Sequence, residues 1–232
     1  MKKRLKHSGN VLLIAVAILC VFQLALTATL SARMLVSANV APLDFTVVID
    51  AGHGGVDGGV VGASGSVESR LNLLYAKSLG DIFAERGFRI VYTRKDEGGL
   101  YGQATEGFKR RDMARRAELI EQASPDVVIS VHMNHFADGS RRGPQVFFQE
   151  DVQEGKALAD SVQTALNDFT GNDHAALGGD FFITRCCDRP SVIVECGFLS
   201  NVEEESLLLQ SDYREKLTET IFRGVMLYLY SV

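Results

Sequence analysis

Residues 45–59 read FTVVIDAGHGGVDGG. A run of β-branched and aromatic side chains stops at Asp50, and five glycines then fall between positions 52 and 59 with one imidazole, His53, among them. This is the pattern of a strand entering a tight loop whose backbone lies open, because glycine turns at positive φ and lets a ligand approach the main chain. A phosphate cradle is the rival reading. The glycine spacing fits neither the dinucleotide nor the P-loop signature, and no Lys-Ser/Thr follows. A histidine on a loop after a strand suits metal ligation better.

The same kind of run recurs downstream. FRIVYT (88–93) is a strand candidate, and VVISV (127–131) and VIVE (192–195) are continuous β-branched runs, as expected of strands buried on both faces. Between the first two, Leu71, Leu74, Tyr75, Leu79, Ile82 and Phe83 share one helical face over residues 70–86, with Gly87 placed to end the helix. Residues 110–122, 152–169 and 213–230 also carry helical periods. Strand–helix alternation predicts one α/β domain over residues 44–232, a mostly parallel twisted sheet flanked by helices. There is no internal repeat.

Ahead of that domain the character changes. Residues 1–10 form a basic leader, 11–30 an uncharged apolar run, VLLIAVAILCVFQLALTATL, and 31–43 a linker. Twenty residues of helix span about 30 Å, one hydrocarbon core, and the positive flank should stay cytoplasmic, which exports the rest. Two readings follow: a signal anchor, or a signal peptide cleaved near Val36-Ser37-Ala38. Either way the working domain is expected outside the cytoplasmic membrane, anchored to it or secreted.

The chain carries 24 basic and 29 acidic side chains. Lys2, Lys3, Arg4, Lys6 and Arg33 precede the first acidic residue, so the remainder holds 19 basic against 29 acidic, a net −10. An acidic body disfavours nucleic acid as a partner. The four cysteines, at 20, 186, 187 and 196, exclude a disulfide-dense scaffold. Cys186 and Cys187 are adjacent, poor partners for one another, and the expectation is free, buried thiols.

In open α/β sheets, sites form beyond the carboxyl ends of strands. Three strand ends deliver His53, His132 (in SVHMNH) and Glu195 (in VECGF) to one edge, and Glu68, at the start of the first helix, can fold back toward His53. Two imidazoles and a carboxylate are a common catalytic zinc set with a fourth position left for water, and a second carboxylate suits a general base. Position alone does not separate this from satisfied strand-end histidines and a Glu paired with Arg. A metal on Cys186, Cys187, Cys196 and His174 matches no common zinc spacing.

Taken together, VIDAGHGGVDGG, Glu68, SVHMNHF and VIVECGFLSN resemble the zinc-dependent N-acetylmuramoyl-L-alanine amidases (amidase 3 family) over residues 45 to about 230. The resemblance implies one Zn2+ per chain on His53, Glu68 and His132, with Glu195 as the catalytic carboxylate. The substrate implied is peptidoglycan, cut at the amide between N-acetylmuramic acid and L-alanine. Asn134 falls on the family's S-x-H-x-N motif, and Arg116 on an arginine ahead of it; Asn134, His135 and Arg116 are the substrate-contact candidates, with a structural ion pair the alternative for Arg116. Residues 149–190 leave no room for a long autoinhibitory plug, and no wall-binding repeat is present. This architecture looks most like the germination-specific cortex amidases of spore formers. An open three-ligand site could also require a docked protein, so an accessory or activating protein joins peptidoglycan and the membrane as an expected partner. Two rivals stand beside this reading: a zinc peptidase cutting within the stem, and a non-catalytic tethered wall-binding protein.

Overall fold

The structure is a computed structural model that describes residues 45–231 together with Gln23. The leader, the rest of the 11–30 run and the linker lie outside the described residues. No helix among the described residues is long and apolar enough to cross a membrane.

A six-stranded sheet is built from β1 (Thr46–Ala51), β2 (Arg89–Tyr92), β3 (Val127–Asn134), β4 (Gln145–Gln149), β5 (Leu177–Gly179) and β6 (Ser191–Phe198), in the order β2-β1-β3-β6-β4-β5. The helices are α1 (Glu68–Glu85), α2 (Phe108–Ala123), α3 (Gln153–Thr170), α4 (Phe182–Arg185), α5 (Val202–Leu208) and α6 (Ser211–Leu229). Strands β2, β1, β3 and β6 run parallel, and these are the four that the β-branched runs predict. The sheet is nonetheless mixed, because β4 pairs with β6 antiparallel and carries β5 with it. The two added strands lack the buried-strand signature: β4 is buried only at alternate residues and β5 is Leu-Gly-Gly.

Every residue of β1 is buried, so helices cover both faces. On one face Val48, Val128 and Ile193 pack with Ile120 and Ala123 of α2 and Ile183 of α4. Helices α1 and α3 also pack on the sheet, and α6 packs on both of them. Helix α1 starts at Glu68, two residues earlier than its periodicity suggests, and Leu74 falls off the apolar face: it is exposed, while Leu73 is buried. Gly87 ends the helix as its composition implies. It adopts φ +86°, its N–H donates to Ala84 O, and the Phe88 N–H donates to Phe83 O.

Candidate metal centre

The carboxyl ends of β1, β3 and β6 meet at one edge of the sheet. Asp50 and Ala51 of β1 register with Ser130 and Val131 of β3, and His132 registers with Glu195 of β6. Just beyond, the ladder skips a residue, with Asn134 opposite Phe198. Such a bulge bends a strand and ends its pairing.

His53, Glu68 and His132 each offer a donor atom, all within 4.8 Å of one another. Glu68 Oε1 lies 3.2 Å from His53 Nε2 and 3.0 Å from His132 Nδ1. Ligands around a tetrahedral zinc at ordinary bond lengths sit about 3.3 Å apart. The donor set therefore fits such an ion in both chemistry and spacing. Burial alone raises the Glu68 carboxyl, but His132 and His53 outweigh it and hold the group well below the usual carboxylate range. Its other oxygen accepts from the Val60 N–H at 2.9 Å, and Asn72, one helical turn on, donates to Oε1 at 3.1 Å.

Two glycines make the room. A Cβ on Gly52 would stand 2.2 Å from the His132 ring, and one on Gly59, where φ is +69°, would stand 2.2 Å from Glu68 Oε2. His53 itself has φ +60°, a conformation a non-glycine residue holds only when its surroundings impose it. Two buried arginines do so. Arg94 donates to the carbonyls of Ala51, Gly52 and Ser69, each at 2.8 Å. Arg116 donates to Ala51 O at 2.8 Å and His53 O at 2.6 Å while pairing with Asp50 and Asp112. Burial works to raise the Asp50 carboxyl, but Arg116 with Ser130 and Thr93 holds it at about 2.

Glu195 faces this centre with one carboxyl oxygen, Oε2, buried and without a hydrogen-bond partner among the described residues. Burial pushes its carboxyl up to about 7; His132 opposes the shift and Glu68 adds to it. His53 and His132 also line a cavity of about 290 Å³, with Phe108, Lys109, Met113, Phe182 and Ile193 among its other walls.

The four principal site residues of the sequence reading thus come together. Arg116, among the residues lining the cavity, is 1% exposed, and its donors go to Asp50, Asp112 and backbone carbonyls, as the ion-pair alternative expects. Asn134 closes β3, and its Oδ1 accepts from the N–H of His135, which lies exposed past the strand end. Cys186, Cys187, Cys196 and His174 form no metal cluster among the described residues. Cys196 is buried as expected, whereas Cys186 and Cys187 are only half-buried.

Comparison with known proteins decides what this centre belongs to. The Amidase_3 family, N-acetylmuramoyl-L-alanine amidase, matches residues 47–226, nearly all of the folded domain. The chain belongs to this family. It is an N-acetylmuramoyl-L-alanine amidase, a peptidoglycan hydrolase that cleaves the amide between N-acetylmuramic acid and the L-alanine of the stem peptide. The germination-specific N-acetylmuramoyl-L-alanine amidase of Bacillus subtilis is 29% identical over 188 residues, 78% of each chain. The CwlD amidase of Clostridioides difficile, solved in complex with the GerS lipoprotein, superposes with a TM-score of 0.77 at 31% identity, covering 81% of this chain and all of that one. The catalytic domain of CwlV from Bacillus (Paenibacillus) polymyxa gives 0.71 at 29%, covering 80% and 98%.

The residues missed from the amidase sequence are the supports: Asp57, Asn72, Arg94 and Asp112. Asn72 carried a usable signal, lying four residues after Glu68 and so on the same helical face. Arg94 and Asp112 carried none, since a charge next to a strand or on a helix reads as surface.

Proposed function

We propose that the amidase works with a single zinc ion held by His53, Glu68 and His132, with Glu195 as its acid–base residue. The observation that carries this is the register of β3 and β6: it sets Glu195, whose Oε2 has no hydrogen-bond partner among the described residues, opposite His132 of the three-donor cluster. Bound there, zinc supplies Lewis acidity and a nucleophile at neutral pH. The chain's part is to hold the muramoyl carbonyl at the sheet edge, take a proton from the attacking water on Glu195, and return it to the departing L-alanine nitrogen. Asn134, the last residue of β3, and His135, just past it, are the proposed contacts to the glycan or the peptide.

Spore-cortex peptidoglycan is the proposed substrate, with formation of muramic δ-lactam and a role in germination. The likeness to a germination-specific amidase over 78% of both chains supports it. The basic leader and the apolar run 11–30 support export, with the domain membrane-anchored or released into the space between the spore membranes. A lipoprotein partner like that of the Clostridioides relative is the accessory protein to look for.

The test is product analysis. Residues 40–232, with and without zinc, are incubated with cortex and vegetative peptidoglycan, and fragments are identified by mass spectrometry. Zinc-dependent release of peptides headed by L-alanine from intact glycan is expected. Zinc-independent release, or cleavage within the stem, would overturn the reading.

A further inference from the structure

His53 and His132 meet Glu68 through different ring nitrogens, and only one of the rings is held from behind. His53 presents Nε2 to Glu68, while its Nδ1 lies 3.1 Å from Asp57 Oδ2. Both nitrogens thus face carboxylates, which only accept; with a metal taking the Nε2 lone pair, the one ring proton is left on Nδ1 to be donated to Asp57. His132 presents Nδ1, and no polar group among the described residues holds its Nε2; the ring rests against the bare Cα of Gly52 instead.

Asp57 is itself fixed. Gly54 N–H donates to Asp57 O at 2.8 Å and Asp57 N–H to Gly54 O at 3.2 Å, closing the loop so that the side chain four residues after His53 turns back onto it. On its far side Asp57 Oδ1 lies 3.4 Å from Nζ of Lys109, in the first turn of α2. Lys109, Asp57 and His53, all lining the cavity, thus form a chain that ends at the centre.

We propose that Asp57 is the positioning residue for His53, setting its tautomer and ring angle for the metal, and that Lys109 steadies Asp57. The proposal rests on the zinc reading above. A ligand histidine oriented by a carboxylate gains basicity and loses rotational freedom, and removing such a partner costs about 10–100-fold in metal affinity.

The experiment is zinc competition against a chromophoric chelator, using wild type, Asp57→Ala, Asp57→Asn and Lys109→Met, together with ¹⁵N NMR of the zinc-loaded histidines. Wild type should bind one zinc. Asp57→Ala should bind about 10–100-fold more weakly. Asp57→Asn should lose less, because its amide oxygen still accepts from Nδ1–H, and Lys109→Met less again. The spectra should report His53 protonated on Nδ1 and His132 protonated on Nε2. A wild type that binds no zinc would overturn the metal reading and this proposal with it. Full zinc affinity in Asp57→Ala, or a His53 protonated on Nε2, would overturn the proposal alone. Should Asp57→Ala fail to fold, Asp57→Asn and the wild-type tautomers decide between the same two results.

Discussion

The candidate metal centre has two halves built on different principles. His132 and Glu195 sit on adjacent parallel strands, where the backbone ladder places them and apolar neighbours such as Val131, Val194 and Cys196 hold the strands. His53, Asp57 and Glu68 belong to a glycine loop and the helix start that follows it, where no ladder exists. Here the work falls to buried polar groups: Arg94 and Arg116 grip the carbonyls of residues 51–53, and Glu205 accepts from Ser64 and Ser66 across the fold. A strand positions a ligand through register alone. A loop needs charges inside the protein to do the same, and those charges must be fully paired to be tolerated.

Substitutions in the two halves should therefore fail differently. The largest effect belongs to Glu195→Gln, which should lower the rate of L-alanine-headed peptide release by about 10²–10⁴-fold while one zinc stays bound. Loss of zinc in this variant would make Glu195 a ligand. On the loop side, Arg116→Met strands Asp50 without its partner, and denaturant unfolding should register a loss of about 3–5 kcal/mol. A cost near zero would mean the loop does not depend on its buried charges.

Acid should strike the loop half as well. The folded-state pKa of Asp50, about 2, lies below its ordinary value of 3.8. The resulting stability, about 2 kcal/mol, is fully present above pH ~4 and is lost as pH falls through about 2. Unfolding of the metal-free domain at pH 4 and pH 2 should show this loss, and Asp50→Asn should flatten it; equal pH slopes in the two proteins would contradict the assignment. The smallest effect is expected behind the strands. Asn201 caps α5 by accepting from the Glu204 N–H and ties it to Gly139 O. Asn201→Ala should cost about 1 kcal/mol in thermal stability and leave zinc affinity unchanged.

The same division explains what could be read from the sequence. β-Branched runs announce buried strands, so the four parallel strands and the positions of His132 and Glu195 were legible from VVISV and VIVE. His53 was legible because a lone imidazole among five glycines has few other uses. The added pair β4–β5, which joins the sheet antiparallel to β6, was not, since an alternating five-residue strand beside a Leu-Gly-Gly edge lacks the hydrophobic run that marks a core strand. Nor was the support of the loop half. Arg94, Asp112 and Glu205 look like surface charges in sequence, and only the fold reveals that they are buried.

The central claim is that one zinc ion sits on His53, Glu68 and His132 with Glu195 close by but unligated. The direct measurement is a crystal structure of the zinc-loaded domain with anomalous data collected at the zinc edge. The account predicts a single peak bonded to His53 Nε2, Glu68 and His132 Nδ1 at about 2.0–2.2 Å, with the Glu195 carboxylate facing the open coordination position. A peak bonded to Glu195 in place of Glu68, or one located at Cys186 and Cys187, would contradict it.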